Sequence, residues 1–153
     1  MVRIAVGLVV GMLSAGSALA QAAPAQQAAA PPAKRVFGSD AGLVLNFIKA
    51  DKTADFEAVM AKLKEALNKS DKPERKAQAA SWKVFKSPEP AAGGNVLYVF
   101  VIDPAVKDAD YTVSTILAEA FPQEVQAIFK QYSESYASGQ NFVNLALVQK
   151  FGN

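Results

Sequence analysis

Cysteine and histidine are both missing from this chain of 153 residues. Without cysteine there is no disulfide, no thiol nucleophile and no thiolate-held iron–sulfur cluster. Without histidine the chain lacks the commonest general base and the usual ligand of zinc and haem. Any chemistry must run on carboxylates, Lys, Tyr, Ser/Thr, Asn or the backbone, so no cofactor and no metal are expected. Charge of one sign is also missing. Sixteen basic and 14 acidic residues give a formal charge of +2, with the two signs interspersed. No basic stripe marks a nucleic-acid partner. Ser/His/Asp arrangements fail for lack of partners, and Gly93-Gly94 reads as a turn because no helix start follows it, as a phosphate loop would need.

Long hydrophobic runs are scarce as well. The N-terminal "MVRIAVGLVVGMLSAGSALA" holds an apolar core of ten residues, Ile4 to Leu13, which is short for a membrane span. Arg3 before it, and Ala18-Leu19-Ala20 after it, read as the charged start and the A-x-A cleavage site of an export signal over residues 1–20. Cleavage after Ala20 leaves 15 basic and 14 acidic residues and no stable membrane span, which places the mature chain in the periplasm or outside the cell. Residues 21–35, "QAAPAQQAAAPPAKR", are Ala/Gln/Pro-rich with nothing aromatic or β-branched to bury, and read as a disordered linker. One folded domain is expected over residues 36–153.

Within it, "AGLVLNFIKA", 41–50, reads as a strand. A helix follows, with Asp51 or Thr53 as its cap and Asp55 and Glu57 in its first turn. Phe56, Val59, Met60, Leu63 and Leu67 share one face at helical spacing. "ASWKVFKS", 80–87, is a second strand, and "PEPAAGGN", 88–95, is a turn into a third, 95–102, which Pro104 stops. A short helix over 112–121 is broken near Pro122 and continues over 122–137, with Val125, Ile128, Phe129, Tyr132 and Tyr136 on one face, ending at Ser138-Gly139. "NFVNLALVQKF", 141–151, is the last strand. The fold class is α+β. The order is βαββαβ, a ferredoxin-like four-stranded antiparallel sheet with two helices on one face and strands in the order fourth, first, third, second. The second strand, an edge, carries Lys83 and Lys86, charges that discourage stray pairing.

Helices on one face leave the other face wet, yet the central strands are apolar on both parities. Leu43, Leu45 and Phe47 alternate with Val44 and Ile48, and Val96, Tyr98, Phe100 and Ile102 alternate with Leu97, Val99 and Val101. Several hundred Å² of bare apolar surface corresponds to on the order of 10 kcal/mol of unused burial. Monomers rarely leave such patches exposed. A homodimer through the sheet face is the economical cover.

The run "FIKADKTADFEAVMAKLKEAL", followed by the hairpin, the broken helix and an apolar last strand, resembles the dimeric α+β-barrel superfamily. That group includes the antibiotic-biosynthesis monooxygenase-like and NIPSNAP-like families. The resemblance spans residues 40–151 and rests on a Lys-rich turn, Lys49 and Lys52, before an acidic first helical turn with Phe, here Asp55, Phe56 and Glu57. It implies a homodimer with facing sheets and a ligand cavity between each sheet and its helices. Some members are cofactor-free oxygenases and some degrade haem with the help of a His that this chain lacks.

Three side chains are the candidate ligand-binding residues. Asn46 is the polar residue inside the apolar first strand. It either orients an oxygen-bearing ligand or is a satisfied core amide. Asn144 poses the same question on the last strand. Trp82 and Tyr98 either line a small-molecule pocket or are ordinary core aromatics. Asp103, Asp108, Asp110 and Tyr111 read as turn and cap formers more readily than as a cation site, because D-x4-D-x-D matches no calcium loop. The expectation is an exported homodimer that binds a small apolar molecule or serves as an interaction module. The alternative is a cofactor-independent monooxygenase-like or isomerase-like enzyme.

Overall fold

A computed structural model describes residues 33–152. The expected export signal, Ala18 and Ala20 included, and the expected linker as far as residue 32 lie outside the described residues. The architecture is α+β: β1 (Ala41–Ile48), α1 (Thr53–Lys69), α2 (Pro73–Ser81), β2 (Trp82–Pro90), β3 (Val96–Ile102), α3 (Val113–Ala120), α4 (Val125–Ser135) and β4 (Tyr136–Leu145). The four strands form one sheet in the order β2-β3-β1-β4, and every neighbouring pair is antiparallel. Lys83 and Lys86 therefore do sit on an edge strand.

The two parities of the central strands have separate fates. Val44, Asn46 and Ile48 of β1, with Tyr98, Phe100 and Ile102 of β3, are buried beneath the helices. Leu43, Leu45, Phe47, Leu97, Val99 and Val101 point the other way and are only partly buried. The register extends this second face to Phe85 on β2, opposite Val99, and to Val143 and Leu145 on β4, opposite Leu43 and Ala41. Lys83 and Asn141 stand at its margins.

Helix α1 buries Phe56, Val59, Leu63, Ala66 and Leu67, the face its 3.6-residue spacing calls for. Neither Asp51 nor Thr53 makes the expected side-chain cap. The first turn is held instead by Lys52, which pairs with Asp55 at 2.9 Å. Of the four α-helices, α1 and the two pieces of the helix broken near Pro122, α3 and α4, were expected. The additional one, α2, begins at Pro73, whose missing N–H suits a first helical position. Its anchor is charged rather than apolar, which hides it from a hydrophobic-periodicity reading. Buried Arg75 donates from Nε and Nη2 to the two carboxylate oxygens of Glu119 on α3, at 3.2 and 3.0 Å. Its Nη1 donates to Gln78 Oε1 at 2.7 Å and to the Asp110 carbonyl at 2.6 Å.

Pro122 lies in the break between α3 and α4, as expected. The boundary between α4 and the last strand is corrected. α4 ends at Ser135, not at Ser138-Gly139, and β4 covers Tyr136–Leu145 rather than 141–151. Tertiary bonds decide this: the Ser135 carbonyl accepts from Lys49 N at 2.9 Å and the Glu134 carbonyl from Lys49 Nζ at 3.0 Å, which satisfies the helix end early. Phe129, expected to face the sheet, is exposed.

Gly42 is required by close approach. The Phe37 ring lies over it, and a Cβ there would meet ring carbons at 2.0 Å. Phe37 stacks on Phe142 with centroids 4.2 Å apart and meets Tyr111 edge-on at 5.1 Å. Arg35, at the end of the expected linker, ties down the same corner: its N donates to Asp110 Oδ1 and its carbonyl accepts from Tyr111 N.

Two outcomes are expected. Gly42→Ala should lower unfolding free energy in urea by about 1–3 kcal/mol, because the added methyl overpacks the Phe37 site; an unchanged midpoint would contradict the stacking. Glu119 has its carboxyl held below the ordinary 4.5, chiefly by the Arg75 hydrogen bond. A depressed folded-state value means stability present above about pH 4.5 and lost as pH falls below it. The Tm of Glu119→Gln should therefore decline less steeply than wild type between pH 5 and 3.

Candidate functional site

The three candidate residues do not converge. Asn46 and Tyr98 are cross-strand partners at the middle of the sheet, whereas Trp82 pairs with Ile102 toward the end of β3.

Asn46 is fully buried in a polar cluster of four side chains. Its Nδ2 donates to the Val44 and Tyr98 carbonyls at 3.1 and 3.2 Å. Its Oδ1 accepts from Tyr136 Oη at 2.9 Å and from Gln140 Nε2 at 2.8 Å. Gln140 also reaches the Tyr132 and Tyr136 hydroxyls, both at 2.9 Å, and those hydroxyls are 2.7 Å apart. The register explains the convergence. Gln140 pairs with Asn46 and Tyr136 with Ile48, so β4 carries extra residues across this irregularity and turns both side chains toward the helix layer. The last turn of α4 supplies Tyr132. Burial pushes the Tyr132 hydroxyl up to about 12 and the Tyr136 hydroxyl further still. Both stay neutral at physiological pH. They serve as hydrogen-bonding groups and offer no phenolate base.

Tyr98 is buried against Phe56, centroids 4.7 Å apart, and its hydroxyl donates to Glu57 Oε1 at 2.5 Å. Lys86 pairs with the same carboxylate at 2.9 Å. The Tyr98 hydrogen bond, then Lys86, holds the Glu57 carboxyl below its usual range, so it remains an anion. Burial raises the Tyr98 hydroxyl.

Trp82 alone of the three borders open space. A cleft of about 500 Å³ lies between α1 and the edge of the sheet. Met60, Leu63 and Leu67 line it from α1, Ala79 from α2, and Trp82 and Val84 from β2. Lys64 and Asn68 stand at its rim. It exists because β2 is an edge: Val84 points to the helix side, opposite Phe100, yet stays exposed because no helix covers it. The Trp82 ring meets Phe100 edge-on at 5.5 Å and Tyr111 at 5.4 Å. Its Nε1 is buried without a hydrogen-bond partner among the described residues.

Of the loop carboxylates, Asp110 is engaged in structure. Asp110 Oδ1 accepts from Thr112 N at 2.9 Å as well as from Arg35. Burial works against its ionised form, and the bonds from Thr112 and Arg35 prevail, leaving it below its usual value. Tyr111 Oη accepts from Val106 N at 2.7 Å. Asn144 Oδ1 accepts from Gly38 N at 2.8 Å. Among the described residues no group of carboxylates is placed to hold a metal ion, and no helix is long and apolar enough to cross a membrane. Set against known proteins, the chain matches no family model, no curated protein and no solved structure.

Sequence reasoning missed Gln140 and Met60's part in the cleft wall. Gln140 stands four residues beyond Tyr136, itself four beyond Tyr132. That spacing would continue a helix stripe, whereas the alignment is made by a strand.

Removing the cluster's hub should be expensive. Asn46→Ala removes the acceptor that Tyr136 and Gln140 share and should lower stability by about 2–4 kcal/mol, and Tyr136→Phe by about 1–2 kcal/mol. Urea denaturation measures both, and sub-additive losses in the double variant would confirm that they share one network.

Proposed function

We propose that this is an exported, homodimeric, ferredoxin-like βαββαβ binding protein that takes a small apolar molecule in the cleft beside Trp82. One observation carries the binding reading: an apolar cleft of about 500 Å³ with one aromatic wall and polar groups confined to its rim, within the size range of small-molecule sites. Export rests on the signal-like residues 1–20 and pairing on the uncovered apolar sheet face. The resemblance to dimeric α+β barrels agrees with the strand order β2-β3-β1-β4, which is the ferredoxin-like order read from its other edge. The enzyme alternative leaned on Asn46, Trp82 and Tyr98 surrounding one substrate. The amide of Asn46 is spent on protein groups, and Trp82 stands away from Asn46 and Tyr98, so the binding reading has the stronger support.

Trp82 is the single tryptophan of the chain and stands in the cleft wall, so its fluorescence reports occupancy directly. Titration with anilinonaphthalene sulfonate, a naphthoquinone and simple phenols should quench or shift it saturably, and Leu63→Asp should weaken the binding at least about tenfold, given about 1.4 kcal/mol per decade. A flat Trp82 signal with every probe would refute the cleft. Consumption of the naphthoquinone or phenol under oxygen would favour the enzyme instead.

A further inference from the structure

The last residues of the described chain are its most exposed apolar ones. The β1–β4 ladder ends at Leu145 opposite Ala41. Beyond it Leu147, Val148 and Phe151 are 80%, 96% and 92% exposed. Residues 146–151 make no backbone hydrogen bond among those of the described residues. Water-exposed leucine, valine and phenylalanine within five positions are not the composition of a solvated tail.

We propose that residues 146–151 form an arm that crosses to a second copy of this chain and packs on that copy's uncovered sheet face. The inference rests on the pairing in the proposed function and deepens it. Size argues for the second copy. Four strands spaced about 4.8 Å apart and about seven residues long present roughly 450 Å² of face. A stable interface needs about 800 Å² per partner. Burial of Leu147, Val148 and Phe151 adds on the order of 350 Å², which brings the sheet face up to that requirement. An arm folded back on its own sheet would cover one strand's width, about 5 Å of about 19 Å, and leave the rest bare. Reach permits the crossing: six extended residues span about 20 Å, and packed sheets lie about 10 Å apart. Chemistry fits too. The face is apolar at its centre, Leu45 and Val99, with Phe85 on the adjoining edge strand 53% exposed, and polar at Lys83 and Asn141 on its two edge strands, the arrangement of an interface core and rim.

The absence of native cysteine makes a clean test. Gln149→Cys, labelled with benzophenone maleimide, is prepared from the full coding sequence in ¹⁴N and ¹⁵N forms, mixed, irradiated and mapped by mass spectrometry, with sedimentation equilibrium alongside. The expected result is a dimer in which crosslinks join light arms to heavy peptides carrying Phe85 or Val99. A dimer whose crosslinks stay within one isotope, or are absent, overturns the arm and leaves the pairing standing. A monomer at about 10 μM, far above the nanomolar-to-micromolar range of specific complexes, overturns both. As a second measurement, Leu147→Asp with Phe151→Asp should raise the dimer dissociation constant roughly 30-fold or more, as loss of anchor residues does, with the circular dichroism unchanged. An unchanged constant overturns the arm.

Discussion

Alternation of side chains across a β-strand is the constraint from which the rest of this structure follows. β1 and β3 are apolar on both parities, so the sheet has two oily faces. The first is closed by the helices, with Phe56, Leu63 and Leu67 of α1 lying over Ile48, Tyr98 and Phe100. The second, centred on Leu45 and Val99, has no cover from the described chain. A fully buried aliphatic side chain contributes about 1.5–3 kcal/mol, so the uncovered face is comparable in energy to the net stability of a typical domain. That imbalance is the physical ground for reading the protein as one half of a pair.

Polar groups beneath the helices are the second determinant. Burial of an unpaired amide or charge costs several kcal/mol, and here such groups are gathered into two closed networks. Asn46, Tyr132, Tyr136 and Gln140 tie the middle of β1 to α4 and β4. Arg75, Gln78 and Glu119 tie α2 to α3 and to the loop before it. Buried Arg75 directs four of its five N–H donors to Glu119, Gln78 and Asp110 and orders the elements around it, whereas removal of Glu119 would leave the guanidinium buried without its carboxylate. Both networks direct most of their donors and acceptors to protein partners.

Space for a ligand appears where packing is incomplete rather than where polar groups converge. The edge strand β2 extends past the cover of α1, and the gap beside Trp82 and Val84 is the consequence. The sheet's other edge is β4, from whose end the apolar arm departs. The proposed ligand cleft and the proposed interchain arm thus fall on opposite edges of one sheet.

Local pattern was enough to read the α+β class, the presence of four strands, α1 with its buried face and the break at Pro122, because each depends on periodicity or proline within a few residues. The same pattern exposed the second apolar face, since parity is a property of one strand. It was not enough for α2, whose anchor is an ion pair to Glu119, 44 positions away, nor for the early end of α4, where Lys49 from beside β1 takes the last carbonyls. The same limit applied to the site. Asn46 was conspicuous as the polar residue in an apolar strand, but its partners are assigned by register between β1 and β4. Trp82 was conspicuous as the single tryptophan, but the cleft at its side arises from where α1 stops covering β2. Residue type and spacing determine which face a side chain must choose; what stands opposite it is decided only when distant segments pack, because hydrogen-bond partners and cavities belong to pairs of elements and not to either one.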